Sequence, residues 1–384
     1  MSDEIITLEE PGPQPGAEPL ESQDQTEAPT DAALGGGKTV PQPSHSPAPL
    51  RRNSDTWTAR DLIQLAKKSP PQAIIEGLLN AGDILLLHGT EESFKSVSVV
   101  QCAEAIAMGT PFLRRWPVCG QRRVGIIETE MHAVMMGQRL SKMFPDGNAP
   151  EHVFFMSEDL LRRWRREDLA GKFRVIEDWV RQEDIQVLMI DTANDFFRGL
   201  DSPSEERVVG EFFDRLRALS LEGRILVRHD RKRREIDDSS HSNEMIRGSS
   251  EWKEDPEAII QLKRTDKRTH EVQMEVGKLR YGVKPEPCKL WFDAGVFRLV
   301  PLPPIIALLE DGPKTRQQLV SEGERFGLSE RAVDAQLDEN QEVLKRGNRG
   351  HERTWELDRT KCQEKEWLQL LNPEGTATVQ DMQT

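Results

Sequence analysis

The run Leu87 to Ser96, LHGTEESFKS, meets the phosphate-binding pattern G-x-x-x-x-G-K-[ST] at Gly89, Lys95 and Ser96, and carries Phe94 where the pattern has its second glycine. In such a loop the backbone N–H groups of Gly89, Thr90, Glu91, Glu92, Ser93 and Phe94 would wrap phosphate oxygens. Lys95 would reach the β- and γ-phosphates of ATP, and the Ser96 hydroxyl would bind Mg²⁺. A tight strand-to-helix turn with a surface lysine would present the same letters. Glu91 and Glu92 add negative charge beside a triphosphate and repel it unless they point outward. Glu92 is also expected in a backbone conformation that favours glycine.

Further acids and bases end apolar runs. Asp191 closes VLMID, where a carboxylate holds Mg²⁺ at a strand's carboxyl end, although an ordinary strand cap reads the same way. Glu130 closes GIIETE and is the preferred group to activate an attacking water; Glu128 competes if the strand ends earlier. His229 closes ILVRH, either as a sensor of the γ-phosphate or as a structural histidine. A second sequence, Gly35 to Thr39, also ends like a phosphate loop. No apolar strand precedes it, and Pro41 and Pro43 forbid the helix that must follow.

For these groups to meet, strands and helices must alternate. Trp57 onward reads as a helix (TARDLIQLAKK, with Thr58 as cap), a turn at Asn80 to Asp83, the strand ILLLHG, and a helix ending at Gly109. RRVGIIETE, HVFFMS, IQVLMID and RILVRHD follow as strands, separated by the helices AVMMGQRLSKMF, KFRVIEDWVRQE and EERVVGEFFDRLRALS. This alternation predicts an α/β fold with a mainly parallel central sheet, covered on both faces, with its chemistry at the strands' carboxyl ends. EAIIQLKR, HEVQMEVGKLR and CKLWFDAGVFRLV read as antiparallel strands completing the sheet.

Residues 1–52 form an expected disordered Pro- and acid-rich tail, 53–300 the α/β core, 301–358 a winged helix-turn-helix, and 359–384 a polar tail. In the winged unit the helix after Ser329 carries Glu330, Asp334, Asp338, Glu339 and Glu342, which repel a DNA groove. Only the hairpin with Lys345, Arg346, Arg349 and Arg353, its tip at Gly347 to Gly350, has suitable charge, so a protein contact is expected there. The net charge of −14 over 384 residues excludes bulk coating of nucleic acid, so any DNA contact must be local. Arg231, Lys232, Arg233, Arg234 and Arg247 are the candidate DNA contacts, or else an ordinary solvated loop. Four dispersed cysteines indicate neither a zinc site nor a disulfide framework, and no apolar run suits a membrane span or signal, so a cytoplasmic location is expected.

Taken together, the lead-in helix before GLLNAGDILLLHG, the Ser-Phe-Lys-Ser loop, the GIIETE acid, VLMIDT, LVRHD and Ile246-Arg247-Gly248-Ser249-Ser250 resemble the RepA-like branch of the RecA-superfamily hexameric ATPases, close to the replicative helicases. The resemblance covers residues 57 to 300 and accommodates Phe94 in the loop. It implies a RecA-like P-loop NTPase core, ATP and Mg²⁺ as ligands, assembly as a homo-oligomeric ring, single-stranded DNA as partner, and a setting in replication of a mobile element. Lys278-Leu279-Arg280-Tyr281-Gly282 is similar to the K-x-R-x-G element that inserts a finger into a neighbour's site, so Lys278 and Arg280 would complete an adjoining active site; a solvated edge-strand face is the alternative. Two rival functions stay open: a non-catalytic nucleotide sensor or scaffold, and a DNA-binding regulator working through the winged helix.

Overall fold

A computed structural model of the chain describes residues 56–197, 206–230, 250–266, 268, 270–350 and 352–362. The expected tail at 1–52, the second loop-like sequence at Gly35 to Thr39, the basic run Arg231 to Arg234, Arg247 and residues 363–384 lie outside the described residues. The chain divides into two units, 1–61 and 62–384.

Helix α1 (Ala59–Lys68) is opened by a reciprocal cap, in which Thr58 N donates to Asp61 Oδ2 and Asp61 N to Thr58 Oγ1. A short hairpin, β1 (Ala73–Ile75) and β2 (Leu79–Asn80), leads into β3 (Ile84–Gly89), which is buried throughout. Helix α2 (Lys95–Met108) follows the loop and stops at Gly109, whose φ of +66° lets its N–H reach Ala105 O.

The alternation then runs β4 (Val124–Glu128), α3 (Ala133–Met143), β5 (Val153–Phe155), α4 (Glu158–Trp164), α5 (Leu169–Glu183), β6 (Val187–Asp191), a 3-10 turn (Ala193–Phe197), α6 (Glu206–Ala218) and β7 (Gly223–His229). Helix α4 is absent from the sequence reading. It is too short for a clear period, yet Ser157 caps it by accepting from Leu160 N. Helix α7 (Glu251–Glu254), β8 (Ala258–Asp266), β9 (Glu271–Leu279), β10 (Cys288–Asp293) and β11 (Arg298–Val300) complete this part.

One sheet holds nine of these strands in the order β11-β10-β9-β8-β3-β7-β6-β4-β5. From β8 to β5 every pairing is parallel; β9, β10 and β11 are antiparallel. EAIIQLKR, expected as antiparallel, is therefore parallel to β3 on one side and antiparallel only to β9 on the other. The period of two along β3 sends Leu85 and Leu87 into one core, with Val99, Cys102 and Ile106 of α2, and Ile84 and Leu86 into the other, with Phe173 of α5 and Phe212 and Phe213 of α6. Burial on both faces is why β3 reads as a continuous apolar run.

The remaining chain forms α8 (Pro304–Leu309), β12 (Lys314–Thr315), α9 (Arg316–Gly323), α10 (Glu330–Glu339), β13 (Leu344–Arg349), β14 (Glu352–Leu357) and α11 (Arg359–Cys362), with the small sheet ordered β12-β14-β13. Gly347 lies inside β13 opposite Thr354, so the hairpin turns at Gly350 and not at Gly347. This unit shares its core with Trp291 of β10, and Arg325 pairs with Asp293 at 3.0 Å.

Candidate functional site

Because β3, β7, β6 and β4 are parallel neighbours, their carboxyl ends open at one edge of the sheet. The loop after β3 approaches its surroundings closely: a Cβ on Gly89 would lie 2.2 Å from Leu262 O of β8, so only glycine fits. Glu92 and Phe94 both take left-handed backbone, each at φ +61°. Glycine is the ordinary occupant of such a conformation, and side chains hold it here. Phe94 stacks on Phe292 of β10 with centroids 4.3 Å apart, and the Arg264 guanidinium lies 5.4 Å over its ring. Arg264 Nη1 also donates to Glu92 Oε2 at 3.0 Å. The Glu92 carboxylate is thus turned outward, 69% exposed, and neutralised, which removes much of the expected repulsion.

Lys95 Nζ donates to Gly89 O at 3.0 Å and Thr90 O at 2.6 Å inside the loop. Burial lowers its pKa, opposed by the charges of Asp191, Asp230, Glu130 and Glu91. Next along α2, the Ser96 hydroxyl lies beside the Asp191 carboxylate. Asp191 ends β6, is 2% exposed, and keeps Oδ2 without a partner among the described residues. Burial pushes its pKa up, the Ser96 hydroxyl opposes that, and the Glu130 charge adds to the rise. A hydroxyl beside a buried carboxylate with an open acceptor atom fits a hard oxygen-seeking cation such as Mg²⁺.

Strand β4 stops at Glu128, so Glu130 lies two residues beyond the strand and not at its end. The chain turns there because the buried Glu128 carboxylate Oε1 accepts from Glu130 N at 2.8 Å and Met131 N at 3.0 Å. Burial, then the Asp191 charge, push the Glu128 carboxyl up to about 7, against those N–H groups and Arg139. Glu130 Oε1 lies 3.1 Å from His229 Nε2, which joins the ends of β4 and β7. The sequence reading missed a second pair behind the loop, His88 Nδ1 and Asp230 Oδ1 at 2.6 Å, with both side chains buried. Each flanks an already chosen residue, His88 before Gly89 and Asp230 after His229, and that adjacency was the available signal.

Lys278 and Arg280 stand apart from this mouth. Arg280 lies one residue past β9, yet both cations converge on the carbonyl end of α7. Lys278 Nζ donates to Lys253 O and Glu254 O; Arg280 donates to Glu254 O and, at 2.8 Å, to Glu257 Oε1. Within one chain they are therefore paired, with burial and the Arg280 charge lowering the Lys278 pKa.

Residues 46–235 match the model of a family described as an AAA domain. Among solved structures, the chain is similar to a KaiC-like protein from the hyperthermophilic archaeon Pyrococcus horikoshii OT3, at 15% identity over 60% of this chain and 94% of that one, with a TM-score of 0.44. It is also similar to the RadB recombinase, at 11% identity over 59% of this chain and 93% of that one, with a TM-score of 0.42. No curated protein matches the sequence. The segment matched to the AAA domain contains the loop, Glu130, Asp191 and His229.

Proposed function

We propose that this chain is a RecA-like, ring-forming ATPase that binds and hydrolyses MgATP and acts on single-stranded DNA in a helicase-like role, in replication of a mobile element. The observation that carries the reading is the convergence of Lys95, Ser96, Asp191, Glu130 and His229 at the carboxyl ends of adjacent parallel strands. Loop N–H groups and Lys95 would hold the β- and γ-phosphates, and Ser96 with Asp191 would hold Mg²⁺, which would supply positive charge to the phosphoryl oxygens. Glu130 accepts the proton of the attacking water, with His229 Nε2 orienting its carboxylate. Lys278 and Arg280 leave the α7 carbonyls to serve a neighbour's γ-phosphate in the ring. Arg231, Lys232, Arg233, Arg234 and Arg247 contact DNA phosphates.

In this reading the domain boundaries are 53–300 for the ATPase core and 301–358 for a winged helix-turn-helix that makes a protein contact, with a cytoplasmic location. Support for the winged unit is its order of three helices and a three-stranded sheet, and its acidic α10. No helix among the described residues is long and apolar enough to cross a membrane. The test is ATP turnover by the full chain with and without single-stranded DNA, beside Glu130→Gln. The expected result is DNA-stimulated turnover that the variant loses while still binding ATP. MgATP binding without any turnover would instead establish a nucleotide sensor, and no binding would remove the reading.

A further inference from the structure

The two acids of GIIETE occupy unlike surroundings. Glu128 is 7% exposed, and its Oε1 is already engaged by two backbone N–H groups, whereas the Glu130 side chain is 47% exposed and meets His229. The residue between them is fixed as well. Thr129 N donates to Asp191 O at 2.7 Å, its hydroxyl accepts from Thr192 N at 3.0 Å, and its carbonyl accepts from Arg165 Nη2 at 2.5 Å. Glu128 and Asp191 are register partners on β4 and β6, so this turn is tied to the strand that carries Asp191.

We propose that Glu128 is a positioning residue: its buried carboxyl pins the Glu130 and Met131 amides and thereby sets where the Glu130 carboxylate stands relative to His229 and the phosphate loop. A side chain two residues away in a strand ordinarily lies on the same face, and Glu130 would then continue the direction of Glu128. Capture of the Glu130 N–H by the Glu128 carboxylate ends the strand and turns Glu130 toward His229. What this task requires is an acceptor oxygen, not a negative charge. That separates it from a general base, which must take up a proton. The inference rests on the assignment of Glu130 in the proposed function.

The experiment uses the full chain as parent, Glu128→Ala, Glu128→Gln, Glu130→Gln and the double variant Glu128→Ala/Glu130→Gln. Two readouts are taken: amide hydrogen exchange over residues 128–136, and ATP turnover with kcat, KM and nucleotide affinity. The expected outcome for Glu128→Ala is exchange at the Glu130 and Met131 amides about 10-fold faster or more, with kcat about 10- to 100-fold lower and ATP affinity within about twofold, the range in which loss of one positioning contact falls. Glu128→Gln, which keeps the acceptor oxygen, should restore slow exchange and most of kcat. The double variant should be no slower than Glu130→Gln.

Unchanged exchange in Glu128→Ala would overturn the proposal, as would a further loss in the double variant. Glu128→Gln as slow as Glu128→Ala would also overturn it, by showing that Glu128 itself takes the proton. If Glu130→Gln turns over ATP like the parent, the assignment of Glu130 falls, and the exchange data alone then decide whether Glu128 holds the turn.

Discussion

At the mouth of the large sheet several local rules of protein structure are broken together; the starts of α9 and α10 in the C-terminal unit keep them. Around the loop, Asp191 Oδ2, Thr192 Oγ1, His88 Nε2, Asp230 Oδ2 and His229 Nδ1 are buried without a hydrogen-bond partner among the described residues, and Glu92 and Phe94 hold left-handed backbone. In the C-terminal unit Thr315 and Gln318 form a reciprocal cap on α9, Ser329 caps α10, and Arg316 binds Asp334 through both oxygens and Glu330 besides. Buried polar atoms without partners each cost about 1–3 kcal/mol. A protein retains such atoms where a ligand will meet them, and their clustering at one mouth is what supports a ligand site there. The acidic α10 belongs to the other category: two of its carboxylates are matched by Arg316 and serve the packing of α9 on α10.

The largest expected effect falls on the loop itself. Lys95→Ala removes a buried ammonium group, and the expected result is ATP affinity weakened at least about 100-fold, about 3 kcal/mol, measured by titration calorimetry. Equal affinity in variant and parent would make the loop a structural turn, and the two regions would no longer differ in kind. A large effect is also expected from Arg280→Ala, which should bind ATP normally and hydrolyse it poorly. Mixing Arg280→Ala with Glu130→Gln subunits should recover partial turnover at mixed interfaces. Absence of recovery despite co-assembly would leave Arg280 as a group that only ties β9 to α7.

A smaller effect is expected at the aromatic anchor of the loop. Phe94→Gly restores the general loop pattern, and by pattern alone it should help. The structure indicates a loss, because the stack on Phe292, the Arg264 contact and the packing of the ring against the core, together about 3–4 kcal/mol, exceed the roughly 1–2 kcal/mol of backbone strain relieved. Thermal melts should show a Tm lower by a few degrees, with weaker ATP binding; a gain in both would mean that the aromatic anchor is dispensable.

The smallest effect belongs to the C-terminal unit. The hydrogen bond from Arg316 holds the Asp334 carboxyl below its ordinary value. A carboxyl with a depressed folded-state pKa contributes stability above its unfolded value, near 3.8, and that contribution is lost as pH falls through the depressed one. Arg316→Gln should therefore lower Tm by only about 1–3 °C at pH 7, as expected for an exposed pair, with the difference shrinking below about pH 4. A pH-independent difference would point to packing of the arginine stem instead.

Much of the central fold was legible because its signals are local. The apolar run of β3, the Lys-Ser start of α2, the Gly109 stop and the strands ending at Asp191 and His229 each depend on periods of two or 3.6 and on residues that stop them. What remained hidden depends on partners that periodicity does not reveal. Whether β4 ends at Glu128 or Glu130 turns on a carboxylate capturing amides beyond it, and hydrogen bonds of that kind leave no periodic trace. That Glu92 would be neutralised, and Phe94 tolerated where glycine is usual, was decided by Arg264 and Phe292, which reach the loop only because β8 pairs with β3 and the antiparallel strands β9 and β10 extend the same sheet. The sequence by itself determined the alternation of strands and helices and that β6 and β7 end at Asp191 and His229, since alternation and helix stops are properties of neighbouring residues. Tertiary structure alone decided which of those ends share one mouth, because strand order is set by burial of both sheet faces and by no single segment.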